Sequence, residues 1–240
     1  MATYVLIHGA ASDSWYWHRV LPLLIANGHD VIVPSLPASD DTAGFEEYTD
    51  TVVRAMEDRW AQAIVDRGPL IVVAQSMGGF TAPMVCERVP VDLMVLVAAM
   101  VPKPGESGGQ WWENTGWQRA KDENDARDGR PVGAEFDVRS TFFHDVPPEL
   151  VEAAFSRGET RQSSTPFARP WPVKRWPDVP TRFLLCRQDR FFPADFQRRV
   201  VRERLDLVPD EMDSGHLPAL ARPVELAERL EGYRKQLALV

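Results

Sequence analysis

Five short apolar runs punctuate the chain: TYVLI (Thr3–Ile7), DVIV (Asp30–Val33), LIVVA (Leu70–Ala74), LMVLVAA (Leu93–Ala99) and RFLLC (Arg182–Cys186). Each is nearly continuous in hydrophobicity, the mark of a strand covered on both faces in a parallel sheet. LDLV (Leu205–Val208) is a weaker sixth strand. Helical patterns fill the intervals: Trp15–Ala26, ended by Asn27-Gly28; Phe45–Val65; Met77–Arg88; Pro193–Leu205; and Val224–Leu237, with Pro223 as its first helical residue. Strand–helix alternation of this kind predicts an α/β fold, a mostly parallel sheet of about six strands with right-handed crossovers. Pro83 falls in the second turn of the third helix, where it removes a backbone bond and predicts an irregularity or a shorter first segment.

The rhythm breaks between residues 102 and 180. This stretch holds Trp111, Trp112, Trp117, Trp171 and Trp176, with abundant Pro, Gly and charge. A loop this long without structure is unusual inside a domain. The stretch therefore reads as an inserted lid with helical pieces near Gly109–Lys121 and Pro148–Phe155, residues 1–101 and 181–240 forming the core.

A length of 240 residues suits one domain with an insertion. A formal charge of -8 argues against nucleic acid and anionic membrane surfaces, which require clustered Lys and Arg. No apolar run approaches the length of a membrane span, and MATYVLIHGA lacks the basic start of a secretion signal, so a cytoplasmic protein is expected. Cys86 and Cys186, in apolar settings, read as buried thiols rather than a disulfide. No spacing of metal ligands stands out, and no metal or organic cofactor is expected.

Chemistry concentrates around LIVVAQSMGGF. A serine at the turn out of a buried strand stands at the mouth of an α/β site. Residues two before and two after it face each other across the turn and must be small; Ala74 and Gly78 qualify. AQSMG thus reads as the nucleophile elbow G-x-S-x-G with its first glycine replaced by alanine. A helix cap is the competing reading of Ser76. HGAAS (His8–Ser12) adds a second sign, because such a loop supplies one oxyanion N–H and the residue after the nucleophile the other. These are Ala10 and Met77; His8 braces the loop and Ser12 belongs to its turn.

Serine needs a base. His18 and His29 read as surface or structural, and His144, in FFHDVPP, falls in the lid. His216, in DSGHLPAL, follows the last strand and reaches the site from the same end of the sheet. Asp189, just past the Cys186 strand in LLCRQDRFFP, supplies the orienting acid in the chain order Ser, Asp, His. Asp213 reads as a loop stabiliser and Asp195 as a first-turn charge.

These motifs resemble the α/β-hydrolase superfamily, and more narrowly the plant methyl-ester esterase and hydroxynitrile lyase group with its bacterial relatives. The carriers are VLIHGAASDSWYWHRVLPLLIANGHDVIVPSLPASD, AQSMGGF, CRQDRFFPADFQRRV and DSGHLPALARPVEL. Both ends of the chain share the likeness and the lid shares little. Where the group carries His before its nucleophile, this chain has Gln75. Where its lyases carry Thr and a Lys after the base, this chain has Gly9 and Leu217. Leu217 cannot stabilise a cyanide leaving group, which disfavours the lyase reaction.

The resemblance implies a carboxylesterase acting on small apolar or aromatic esters through an acyl-enzyme, with Ser76, Asp189 and His216 as its triad. Trp111, Trp112, Phe191 and Leu217 are the candidate substrate contacts, with Phe192 as an alternative wall residue. Against this, most lid tryptophans serve simply to pack the lid on the core. Lactonase, amidase and C–C bond hydrolase activity use the same triad, and a ligand-binding receptor uses the same scaffold. A small ester is the implied partner, with a homodimer left open.

Overall fold

The computed structural model describes residues 1–61 and 68–237. Strands β1 (Thr3–Ile7), β2 (Asp30–Ile32), β3 (Leu70–Gln75), β4 (Leu93–Val97), β5 (Thr181–Cys186) and β6 (Asp210–Met212) form one sheet in the order β2-β1-β3-β4-β5-β6. Every pairing is parallel. Around it lie α1 (Leu21–Ala26), α2 (Phe45–Ala61), α3 (Gly78–Arg88), α4 (Gly108–Thr115), α5 (Trp117–Arg127), α6 (Val138–Phe142), α7 (Pro148–Ser156), α8 (Thr165–Ala168), α9 (Ala194–Leu205), α10 (Pro218–Ala221) and α11 (Pro223–Leu237). Helices α4 to α8 all fall between β4 and β5. Among the described residues no helix is long and apolar enough to cross a membrane.

Continuous hydrophobicity in the strands feeds two cores, because successive side chains leave opposite faces. Val5, Ile7, Val72, Ala74, Leu96 and Leu185 meet α2, α3 and α9 through Tyr48, Val52, Phe80 and Val200. Tyr4, Leu6, Ile71, Val73, Val97 and Leu184 meet α1 and α11 through Leu24, Leu226 and Leu230. Cys86 and Cys186 are free thiols, and burial pushes the Cys86 thiol up to about 12.

Several elements depart from expectation. Trp15–Ala26 is not one helix but a 3-10 turn over Ser14–Trp17, capped by Asp13, followed by α1. A continuous helix would drive the Pro22 ring against the carbonyl of His18; in α1, Pro22 occupies the first turn, where its missing N–H costs nothing. The sixth strand is not Leu205–Val208. Leu205 closes α9, Asp206 follows at φ 54°, and Val208 is 82% exposed. The true strand, Asp210–Met212, lies at the sheet edge and buries only Met212, so apolar pattern cannot reveal it. Helix α3 runs unbroken through Pro83. Residues 62–65, the end of the expected second helix, lie outside the described residues. The expected helix Gly109–Lys121 is two, because Gly116 at φ 63° ends α4 before α5 begins.

Four of the five tryptophans between β4 and β5 fasten this segment by donating an indole N–H to a backbone carbonyl. Trp111 bonds Val101 (3.0 Å), Trp117 Phe191 (2.7 Å), Trp171 Phe80 (2.9 Å) and Trp176 Pro102 (3.2 Å). A buried ion pair reinforces the attachment. Arg204 of α9 forks onto Glu106 at 2.6 and 3.0 Å, both side chains being 3% exposed, and also donates to the Val101 carbonyl. Burial pushes the Glu106 carboxyl up, but hydrogen bonds from Arg204, Asn114 and the Lys103 N–H outweigh it and hold the group below the usual carboxylate range.

Glu106→Ala should lower unfolding free energy by about 3–5 kcal/mol, because it strands Arg204 as an unpaired buried charge. Urea denaturation measures this, and a loss below about 1 kcal/mol, the worth of a surface pair, would contradict it. Since the folded carboxyl titrates below its unfolded value, its contribution is full above about pH 4.3 and fades as pH falls. Wild-type stability should therefore drop more steeply in acid than that of Glu106→Gln.

Candidate active site

In the strand order, β1 leads outward to β2 and β3 leads the other way to β4, so a crevice opens where β1 and β3 end. Ser76 stands there, held at φ 52°. A non-glycine residue in this left-handed region costs about 1–3 kcal/mol and persists only when its surroundings over-determine it. They do: Ser76 N–H donates to Val97 (3.2 Å), and its carbonyl accepts from Gly79 (3.1 Å) and Met100 (2.9 Å).

The turn is as crowded as the spacing predicts. A Cβ on Gly78 would lie 3.3 Å from Ala74 Cβ and 3.2 Å from the His8 carbonyl. One on Gly9 would lie 2.8 Å from Ser76 Cβ and 2.5 Å from Gln75 Oε1, so the loop after β1 touches the Ser76 turn directly. His8 is buried and spans that loop: Nδ1–H donates to Gly9 O (2.8 Å) and Nε2 accepts from Leu36 N–H (3.0 Å). Burial lowers its pKa, which keeps the ring neutral in this bracing role. Among the described residues, the N–H groups of Ala10 and Met77 have no hydrogen-bond acceptor in the protein.

Three side chains from remote parts of the chain converge on this point. His216, between β6 and α10, places Nε2 3.0 Å from Ser76 Oγ and Nδ1 2.7 Å from Asp189 Oδ2. The other Asp189 oxygen accepts the Phe191 and Phe192 N–H groups at 2.8 and 2.9 Å. With the carboxylate fully engaged as an acceptor, the neutral imidazole carries its proton on Nδ1 and offers Nε2 to the serine. Ser76, Asp189 and His216 are 8%, 2% and 3% exposed. Gln75 contributes a bond that the sequence does not announce, its Nε2–H donating to the His216 carbonyl at 3.0 Å.

The other candidates separate. Phe191 and Phe192 set their rings 5.3 and 5.1 Å from the imidazole. Phe142, from α6, lies at 5.1 Å and was not singled out by the sequence; the FF of FFHDVPP is its only signal. Trp112 is half-buried against Trp117 and Phe191. Trp111 lies one ring further back, packed on Phe192 and Phe196 in the core. Leu217 follows His216 and packs toward the α1 and α11 side of the sheet. His29 is structural, its Nδ1 accepting the Ala2 N–H. Asp213 pairs with Arg187, and Asp195 with Arg127 and Arg198, at the surface.

The alpha/beta hydrolase family pattern matches residues 4–229. The chain is 24% identical over 256 residues to methyl jasmonate esterase 1 of Vitis vinifera, covering 95% of each protein. It is also 24% identical to polyneuridine aldehyde esterase of Rauvolfia serpentina, over 95% of this chain and 93% of that one. In solved structures, a pyrethroid hydrolase from Sphingobium faniae superposes with a TM-score of 0.73 at 23% identity, over 100% of this chain and 99% of that one. A six-stranded parallel sheet, a serine elbow at its switch point and a family match over nearly the whole length lead to one conclusion: the chain belongs to the α/β hydrolase family.

Proposed function

We propose that this protein is a serine carboxylesterase that cleaves small apolar or aromatic carboxylic esters through an acyl-enzyme. The observation that carries the reading is the unbroken relay from Ser76 Oγ through His216 to Asp189. In it, His216 Nε2 takes the serine proton as Oγ attacks the ester carbonyl, and Asp189 stabilises the resulting imidazolium and fixes its orientation. The free N–H groups of Ala10 and Met77 receive the oxyanion, where preorganised donors cost no reorganisation. The imidazolium then protonates the departing alcohol, and the neutral ring activates water for deacylation.

Substrate class follows from the wall. Phe142, Phe191 and Phe192 surround the imidazole, with Trp112 behind Phe191, and such rings favour flat or apolar groups over charged ones. Residues 102–180 form the lid that carries Phe142 over the site. Esterase activity in two relatives of nearly equal length supports the reaction class. A relay this well aligned favours an enzyme over a ligand-binding receptor.

Ser76→Ala should reduce hydrolysis of p-nitrophenyl acetate by at least about a thousandfold without unfolding the protein. Wild-type turnover by that variant would refute the mechanism. Gly9→Ala, whose new methyl presses on Ser76 and Gln75, should slow fluorophosphonate labelling of Ser76 by about tenfold or more, since small displacements at a nucleophile are costly. Labelling at the wild-type rate would show that the loop does not constrain the serine.

A further inference from the structure

The loop carrying His216 is gripped from two sides. Gln75 holds its carbonyl from the sheet. Asp145, from the segment between β4 and β5, holds the residues just before it: Oδ2 accepts Gly215 N–H at 2.7 Å and Ser214 Oγ–H at 3.2 Å. The fit is steric as well as polar. A Cβ on Gly215 would lie 2.5 Å from Asp145 Oδ1 and 2.7 Å from His144 Nε2, so the glycine admits the His144–Asp145 pair against its backbone. Among the described residues both of those facing atoms are buried without hydrogen-bond partners, which leaves the two bonds accepted by Oδ2 as the polar purpose of Asp145.

The stretch that carries Asp145 is itself anchored. Val146 and Val151 are buried in the core on the α1 and α11 side, Arg190, next to Asp189 in the chain, donates to Ser140 O at 2.8 Å, and Phe142 packs on the His216 ring. We propose that Asp145 is a positioning residue: it grips the peptide ahead of His216 and thereby sets where Nε2 meets Ser76. The inserted segment is in this way part of the alignment of the base as well as a cover over the site. The inference rests on the esterase reading above.

Asp145→Ala removes the acceptor, and Asp145→Asn keeps an oxygen that can accept the Gly215 N–H. With p-nitrophenyl acetate, Asp145→Ala should lower kcat by about 10- to 100-fold, the usual consequence of a misplacement of about 1 Å, while KM stays within about twofold. Asp145→Asn should retain kcat within about threefold of wild type. Wild-type kcat in Asp145→Ala, or an equal loss in Asp145→Asn, would overturn the proposal. Gly215→Ala, which leaves Asp145 in place but pushes it off the loop, provides the independent arm should Asp145→Ala not fold. It should lower kcat by about tenfold, and wild-type kcat there would also overturn the proposal. Ser76→Ala run alongside separates the two readings. Turnover by it brings both down, whereas an inactive Ser76→Ala beside a fully active Asp145→Ala defeats only the role of Asp145.

Discussion

The strand-to-helix turn at Ser76 is the constraint on which the rest is built. A serine in the left-handed region is strained, and its hydrogen bonds to Val97, Gly79 and Met100 hold it there. The same tightness leaves no room for side chains nearby. Gly78 faces Ala74, Gly79 lies against the Met100 carbonyl, and Gly9 touches both Gln75 and Ser76. Because β1 and β3 are neighbours in register, with Ile7 opposite Ala74, the loop after β1 cannot avoid Ser76. The Ser76 turn and the loop after β1 are therefore one packing problem solved by small residues.

Burial makes the convergent polar groups effective. In a low-dielectric site each hydrogen bond is stronger and each unpaired group more costly. Asp189 meets that demand with two backbone N–H donors and one imidazole, and His216 with partners on both ring nitrogens and on its carbonyl. Three phenyl rings close around the imidazole and reduce access of water. The tryptophans between β4 and β5 work differently: Trp111 and Trp171 bury large rings while their N–H groups donate to the Val101 and Phe80 carbonyls.

How far the chain can be read without coordinates depends on the range of the forces involved. Fully buried strands declare themselves by continuous hydrophobicity, so β1, β3, β4 and β5 are legible to within one or two residues. The elbow is legible because sterics between near neighbours demand small residues at fixed offsets from Ser76. Asp189 and His216 are legible because chain order and strand ends restrict which acid and base can reach one rim of a parallel sheet. Edge strand β6 is not: it buries a single side chain, and Leu205–Val208 imitates it better.

Local pattern thus accounts for five of the six strands and for the small residues around Ser76, since each depends on periodicity or on spacing within a few residues, and chain order adds Asp189 and His216. The grip of Gln75 and Asp145 on the His216 loop and the placement of Phe142 over the imidazole are of another kind. They arise between segments up to 141 residues apart, where no periodicity links the partners. Packing of the His216 loop and of the segment between β4 and β5 against the finished sheet selects them.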